Sequence, residues 1–392
     1  MNIHVGSNTF DSEILEIRRR IHQHPELGFE EVLTSDLVAE RLEAWGYELH
    51  RGLGKTGVVG TLKAGAGKKR IGIRADMDAL PIQETTGLAY ASKHDGKMHA
   101  CGHDGHTAML LGAAKHLAET RDFDGTVHLI FQPAEEGRGG ARKMLDDGLF
   151  RLFPCDAIFA MHNMPGYPEG KLVFRAGPFM ASADRAEITI EGVAGHGAFP
   201  EKTVDPVVVA ASIVMALQTI VARNIDPQEP AVVTVGAIKA GEAPNVIPAS
   251  ATMWLSIRSL DAGVRKQLRR RITALAVAQA ESYGAVAKVD YREGFPVLVN
   301  TEKETAFACE VAKELVGPEN VITDPRPLMG SEDFAMMLEE RPGCYFLIGN
   351  GAGEASCMIH NPGYDFNDRC IPIGSRYWAL LVERFLPKPQ RA

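Results

Sequence analysis

Apolar residues recur at three- and four-residue intervals across Ser12 to Gln23 and again across Thr34 to Trp45, which predicts two amphipathic helices. Short apolar runs rich in β-branched residues then predict strands at Gly57 to Lys63 and Arg70 to Ala75. The alternation continues with a helix over Thr107–Glu119, a strand over Thr126–Phe131, a helix over Gly140–Asp147 and a strand over Ala157–Met161. This order predicts an α/β sheet, in which ligands gather in the loops at the carboxyl ends of the strands. From about Ala183 the pattern changes to strand 186–191, helix 204–223, strands 231–238 and 251–259, helix 261–283 and strand 287–292. A βαββαβ unit of this kind closes its own four-stranded antiparallel sheet with helices on one face, so a separate inserted domain is expected. A helix over Glu304–Leu315, a strand over Cys344–Ile348 and a helix over Gly374–Phe385 then complete the first domain. The expected boundaries are 1–183 with 296–392 for the main domain and 184–295 for the insertion.

Length and composition support that division. A chain of 392 residues exceeds what one core usually supports, and 45% hydrophobic with 23% charged residues is the balance of a globular protein rather than a disordered or collagen-like one. The longest apolar run, Val207–Leu217, falls short of the roughly 18 residues of a membrane span and reads as a buried helix. A net charge of -8 with no block of Lys or Arg argues against nucleic acid and anionic membranes as partners, leaving a small molecule as the expected substrate. The N-terminal stretch shows charged residues before any apolar signal region, and six irregularly spaced cysteines suit a reducing compartment. A cytoplasmic location is therefore expected.

The densest chemistry lies in HACGHDGHTAM, where Cys101, His103, Asp104 and His106 precede an apolar helix. Thiolate and imidazole favour zinc, manganese or related ions, and alternate spacing in an extended loop lets Cys101 and His103 point to one centre. Helix capping or core packing would explain the same residues about equally well from this loop alone. FQPAEEGRGGA changes the balance, because Glu135 and Glu136 follow an apolar strand and precede a glycine-rich turn with no predicted helix around them. Elsewhere, Glu30-Glu31 and Glu339-Glu340 read as surface pairs. One carboxylate can bind a metal while its neighbour deprotonates water, and a hydrolytic metal site needs both. His162 in IFAMHNMPG and His360 in CMIHNPGYDFND add imidazoles after apolar strands or turns that feed the same sheet edge.

Taken together, ADMDALP, HACGHDGHTAM, FQPAEEG, MHN, GHGAFP, NVIP, GSEDF and HNPGYDFND resemble the M20 metallopeptidase family, and more narrowly its aminoacylase and hippurate-hydrolase branch. The resemblance is nearly chain-long. It implies a zinc-peptidase-like α/β catalytic domain, with a mixed sheet flanked by helices, interrupted by a ferredoxin-like dimerisation or lid domain. It further implies two divalent ions per subunit, zinc, manganese, cobalt or nickel, held by Cys101, His103, Glu136, His162 and His360. Glu135 would take a proton from the water shared by the ions and return it to the leaving amine. Asp78 would orient a metal ligand, although a turn-forming aspartate is the alternative. His196 would contact substrate and support the oxyanion from the partner subunit of a homodimer or dimer of dimers, while Asn245 and Arg258 would hold the substrate's carboxylate. The surroundings of Arg258, MWLSIRS, depart from the family's more usual Gly-Thr-Ile-Arg form.

The expected activity is hydrolysis of N-acyl amino acids, hippurate-like or N-acetylated. The alternatives are a dipeptidase or carboxypeptidase with the same centre and an inactive binding protein. GLGKTG at Gly52–Gly57 fits a dinucleotide fingerprint in letters only, since VVGTLK after it reads as a strand rather than a helix. Neither H-E-x-x-H nor G-x-S-x-G occurs. Cys101 as a metal-free nucleophile would leave the paired glutamates without a task.

Overall fold

The computed structural model describes residues 8–351 and 357–389, so the extreme N-terminus read above for a signal lies outside the described residues. In chain order the main strands are β1 (Glu48–Leu53), β2 (Gly57–Ala64), β3 (Arg70–Asp76), β4 (Gly125–Gln132), β5 (Ala157–Pro165), β6 (Leu172–Phe174), β7 (Ser182–Glu191), β8 (Gly195–His196), β9 (Ala231–Ala240), β10 (Val246–Ile247), β11 (Ser250–Ser259), β12 (Val286–Phe295), β13 (Val321–Thr323) and β14 (Gly343–Gly351). The main helices are α1 (Asn8–Gln23), α2 (Val32–Ala44), α3 (His103–Thr120), α4 (Pro206–Asn224), α5 (Ala262–Ser282), α6 (Glu302–Val316) and α7 (Cys370–Phe385). They form two compact units.

The first unit contains the residues up to Gly177, then Asn300–Pro325 and those from Met336 onward. Its mixed sheet has the order β1-β2-β4-β3-β5-β14-β6-β13. The central strands β4, β3, β5 and β14 run parallel to one another, while β2 and β6 flank them antiparallel. Strands covered on both faces need apolar side chains on both, and β5 is buried at every position. That is why Ala157–Met161 reads as a continuous apolar run rather than an alternating one. Ile14, Ile17 and Ile21 of α1, Leu110 and Leu111 of α3 and Trp378 of α7 join the same core. Helix α7 begins at Cys370, a turn before the expected start, because Pro372 in a first turn forfeits no helical hydrogen bond.

Parallel alignment has a functional result. Asp76 at the end of β3 pairs in register with Gln132 at the end of β4, while Arg74 of β3 pairs with Ala160 of β5, two residues before His162. The loops carrying Asp78, Glu135 and Glu136 therefore leave the sheet at one edge, and His162 stands on β5 near that same edge.

The second unit comprises Pro178–Val299 and Arg326–Ala335. Its sheet has the antiparallel order β9-β11-β7-β12, and with α4 and α5 following β7 and β11 this is the ferredoxin-like βαββαβ arrangement. Helix α5 buries Val264, Leu268, Ile272, Ala276 and Ala280, a strict four-residue stripe, and Asp261 caps it by accepting the Val264 N–H. The segment 326–335 was expected with the main domain. It packs here because the Leu328 N–H donates to the Phe179 carbonyl and the Ala181 N–H to that of Gly330.

Two other expectations are corrected. Helix α4 is not buried all round: Val209, Ile213, Leu217 and Ile220 face the sheet, whereas Val208 and Met215 are 52% and 72% exposed. Glu31 is not surface decoration. It is fully buried, accepting the Ala134 N–H at 2.8 Å and the Thr56 hydroxyl at 2.6 Å, with burial raising its pKa.

Candidate metal centre

The turn before α3 is shaped by Gly102, which takes φ +93° where a Cβ would lie 2.2 Å from Asn163 Nδ2. Asn163, at the end of β5, donates from that nitrogen to the Cys101 carbonyl at 2.6 Å and accepts the Tyr364 hydroxyl at 2.5 Å. Its side chain thereby fixes the backbone that presents Cys101 and His103. The four metal-capable residues of this loop then separate. Asp104 turns toward Arg18 and His22, each 2.8 Å away. His106 has both ring nitrogens occupied, Nδ1 by Asp76 at 2.6 Å and Nε2 by the Asn163 N–H at 2.9 Å. Cys101 and His103 remain, and each comes close to Glu136.

The paired glutamates are split by their backbone. Ala134 sits in the left-handed region at φ +55°, Glu136 has ψ +70° and Gly137 has φ +70°, so the short helical turn Glu135–Arg138 does not put both carboxylates on one helix face. Glu136 Oε1 lies 3.2 Å from His360 Nε2 and 3.9 Å from His103 Nε2. The donor atoms of Cys101, Glu136 and His360 lie within 4.8 Å of one another, as do those of His103, Glu135 and Glu136. His162 Nε2 is 3.4 Å from Cys101 Sγ. All five expected ligands and the expected base are thus linked around one edge of the first unit's sheet.

Electrostatics explain what such a cluster needs. Burial and then Glu136, Glu135 and Asp76 push the Cys101 thiol well above its usual pKa. Burial opposes charge on His103, but Asp76 and Asp78 outweigh it and raise its pKa to about 10. His103 Nε2 and Glu136 Oε1 are buried without a hydrogen-bond partner. Thiol, imidazole and carboxylate crowded together, with orphaned donor atoms facing inward, are the ligand set of a divalent transition ion, which would replace the protons and reverse the repulsion. His162 fits the same role: burial and the neighbouring His106 hold it neutral, and Nδ1 engages the Asn163 carbonyl at 2.5 Å, leaving Nε2 toward Cys101.

Asp78 is almost fully buried. Its Oδ1 meets His103 Nδ1 at 3.2 Å, and its Oδ2 accepts the Glu136 N–H at 2.9 Å. One carboxylate therefore orients two candidate ligands, which a surface turn would not require. Asp76 was not singled out by sequence reasoning. Arg74 donates to Asp76 Oδ2 at 2.7 Å, and although burial alone would raise the pKa of Asp76, His103, Arg74 and His106 hold it well below the usual range. The strand alternation in ADMDALP, which puts Asp76 and Asp78 on one side, was the available signal.

The substrate-contact candidates lie in the second unit. His196 of β8 pairs with Val246 of β10, and the Gly197 N–H donates to the Asn245 carbonyl, so His196 and Asn245 are neighbours on an exposed two-stranded ribbon. Arg258 on β11 is half-buried and donates to the Ser331 hydroxyl at 2.7 Å.

This arrangement has relatives. Residues 72–384 match the model of Peptidase family M20/M25/M40. The chain belongs to this family. A relative, the hippurate hydrolase of Campylobacter jejuni, is 46% identical over 95% of this chain and 97% of its own. The N-acetyl-L-cysteine deacetylase of Bacillus subtilis is 38% identical over 97% of this chain and 90% of its own. A dinuclear metal-binding M20 peptidase of Bacillus subtilis has a similar structure, with TM-score 0.84, 36% identity and coverage of 97% and 99%. The chain is accordingly a hydrolase of the M20 family that binds divalent metal.

Replacing Asp78 by Asn keeps the shape but removes the charge that orients His103. Metal affinity measured by chelator competition is expected to fall by roughly 10- to 100-fold. An unchanged affinity would leave Asp78 a turn residue only.

Proposed function

We propose that this protein hydrolyses the amide bond of N-acyl amino acids, with Glu135 as general base and with Cys101, His103, Glu136, His162 and His360 holding two divalent ions. The observation that carries this reading is the different company of the adjacent glutamates: Glu136 groups with Cys101 and His360 as well as with His103, whereas Glu135, only 7% exposed, groups with His103 and Glu136, which favours Glu136 as the ligand and Glu135 for proton transfer. Bound metal would supply Lewis acidity, lowering the pKa of water and polarising the substrate carbonyl. The chain's residues do the rest. Glu135 takes the proton of the attacking water as the C–O bond forms, then delivers it to the amide nitrogen as the C–N bond breaks, giving a carboxylic acid and a free amino acid. Asp78 keeps His103 and Glu136 in place throughout.

The relatives' names favour acyl amino acids: one acts on hippurate and one on N-acetyl-L-cysteine. Benzoylglycine is the leading substrate, with short peptides as the second reading because one structural neighbour is a peptidase. The decisive comparison is wild type against Glu135→Gln on benzoylglycine, acetyl amino acids and dipeptides, after chelation and reconstitution with zinc, manganese, cobalt or nickel. The substitution should lower kcat by roughly 10²- to 10⁴-fold while metal content is retained. Benzoylglycine turnover far below that of dipeptides would make the peptidase reading correct, and equal rates in the two proteins would remove Glu135 as the base.

The proposal extends to Asn245 and Arg258 as carboxylate holders and to a homodimer in which His196 of one subunit supports the oxyanion in the other. In support of a second copy, β9 is an edge strand whose only charged side chain is Lys239, and Ile238 on it is 50% exposed. Mixing inactive Glu135→Gln protein with inactive His196→Ala protein should restore activity once subunits exchange. No recovery after verified exchange would assign His196 to its own subunit's site or to none.

A further inference from the structure

Arg18 projects from α1 and is fully buried. A guanidinium cannot shed its charge at neutral pH, so its burial demands anionic partners. It has three. Nη2 donates to Asp365 Oδ1 at 2.6 Å and Nη1 to Asp368 Oδ1 at 3.2 Å, while Nε makes an ion contact with Asp104 Oδ2 at 2.8 Å without hydrogen-bond geometry. Around this core, His22, one turn along α1, meets Asp104 Oδ2 at 2.8 Å, Arg19 donates to Asp368 Oδ2 at 2.9 Å, and the Tyr90 hydroxyl donates to Asp365 Oδ2 at 2.7 Å.

The positions of these aspartates matter more than their number. Asp104 is the residue after His103, in the first turn of α3. Asp365 and Asp368 belong to the irregular segment between β14 and α7 that also carries His360. His360 itself stands at φ +64°, a conformation that a non-glycine residue keeps only when its surroundings enforce it, and its N–H is tied to the Ala100 carbonyl at 2.7 Å. Phe366 of the same segment closes against Gly105, where an added Cβ would come within 2.5 Å of the ring. The guanidinium thus spans the two stretches of backbone that deliver His103 and His360.

We propose that Arg18 is a positioning residue for the metal centre: by holding Asp104, Asp365 and Asp368 together from α1, it sets the separation between the ligands His103 and His360. This rests on the ligand assignment above. Arg18 touches neither metal nor substrate, and its effect passes through the backbone of the two ligand-bearing segments. Lysine at this position would keep the charge but could not serve three carboxylates in a planar fork.

The test uses the full-length protein, stripped of metal and titrated with zinc against a chromogenic chelator, with the Tm of each metal-free variant measured beside it. Asp365→Asn combined with Asp368→Asn leaves the buried Arg18–Asp104 pair intact and releases only the His360 segment. Zinc affinity should fall by about tenfold or more, within the range for partners that orient ligands. Arg18→Lys should weaken binding as well and serves as the independent variant if the paired substitution does not fold. The decisive comparison adds His360→Ala. If Arg18 acts through His360, the aspartate substitutions cost little further affinity once His360 is gone. Unchanged zinc affinity beside a lowered Tm would reduce the cluster to a structural brace and overturn the proposal, as would a loss fully additive with that of His360→Ala. A different failure is separately visible: zinc affinity unaffected by His360→Ala alone would refute the ligand assignment, and the positioning role with it.

Discussion

The site depends on crowding like charges and acidic groups where water cannot screen them. Burial, and then the nearby carboxylates of Glu136, Glu135 and Asp76, push up the pKa of the Cys101 thiol, while Asp76 and Asp78 outweigh burial and hold a proton on His103. An apolar core would not tolerate this, since an uncompensated buried charge costs several kcal/mol, of the order of a domain's whole stability margin. A divalent ion held by these residues would resolve the conflict by taking the place of the protons. The sheet makes such crowding possible, because β3, β4 and β5 run parallel and release their loops at one edge.

The arrangement is braced at several points. Asp78 serves a ligand's ring and another ligand's backbone at once. Glu31, from the turn before α2, grips the Ala134 N–H and so supports the left-handed residue that separates Glu135 from Glu136. Asn163 ties β5 to the Cys101 carbonyl, and Arg18 ties α1 to both ends of the ligand set. Backbone conformations that would be costly in isolation persist here because several buried polar groups enforce them together. The second unit has its own two-layer core and follows separate rules, with helix stripes at four-residue spacing and strands of alternating burial.

Much of this was legible in the sequence for identifiable reasons. Buried parallel strands demand continuous apolar runs, so Thr126–Phe131 and Ala157–Met161 stood out, and the polar loops after them held the chemistry. The βαββαβ order was likewise written in periodicity. What stayed hidden depends on contacts between distant segments. Arg18 and His22 share the face of Ile14, a displacement of charge onto the apolar side of α1 that spacing reveals, but their aspartate partners lie some 80 to 350 positions away. Glu31 resembles any surface glutamate until the Ala134 N–H is brought to it. His106 resembles a ligand as much as His103 does, and only the placement of Asp76 and Asn163 shows that both its nitrogens are taken. The packing of 326–335 with the second unit is of the same kind, since no local pattern states which sheet a turn-rich segment will join.

Cobalt(II) titration of the metal-free protein, followed by absorbance, tests the central claim most directly. Cobalt accepts the same sulfur, nitrogen and oxygen donors as zinc, and a coordinated thiolate adds a sulfur-to-metal charge-transfer band that oxygen and nitrogen ligands do not produce. The band should grow with bound cobalt in the wild type and vanish in Cys101→Ser, which still binds through His103, Glu136, His162 and His360. Identical spectra in the two proteins, with cobalt bound in both, would show that Cys101 is not a ligand and that the crowded edge of the sheet is not the metal centre described here.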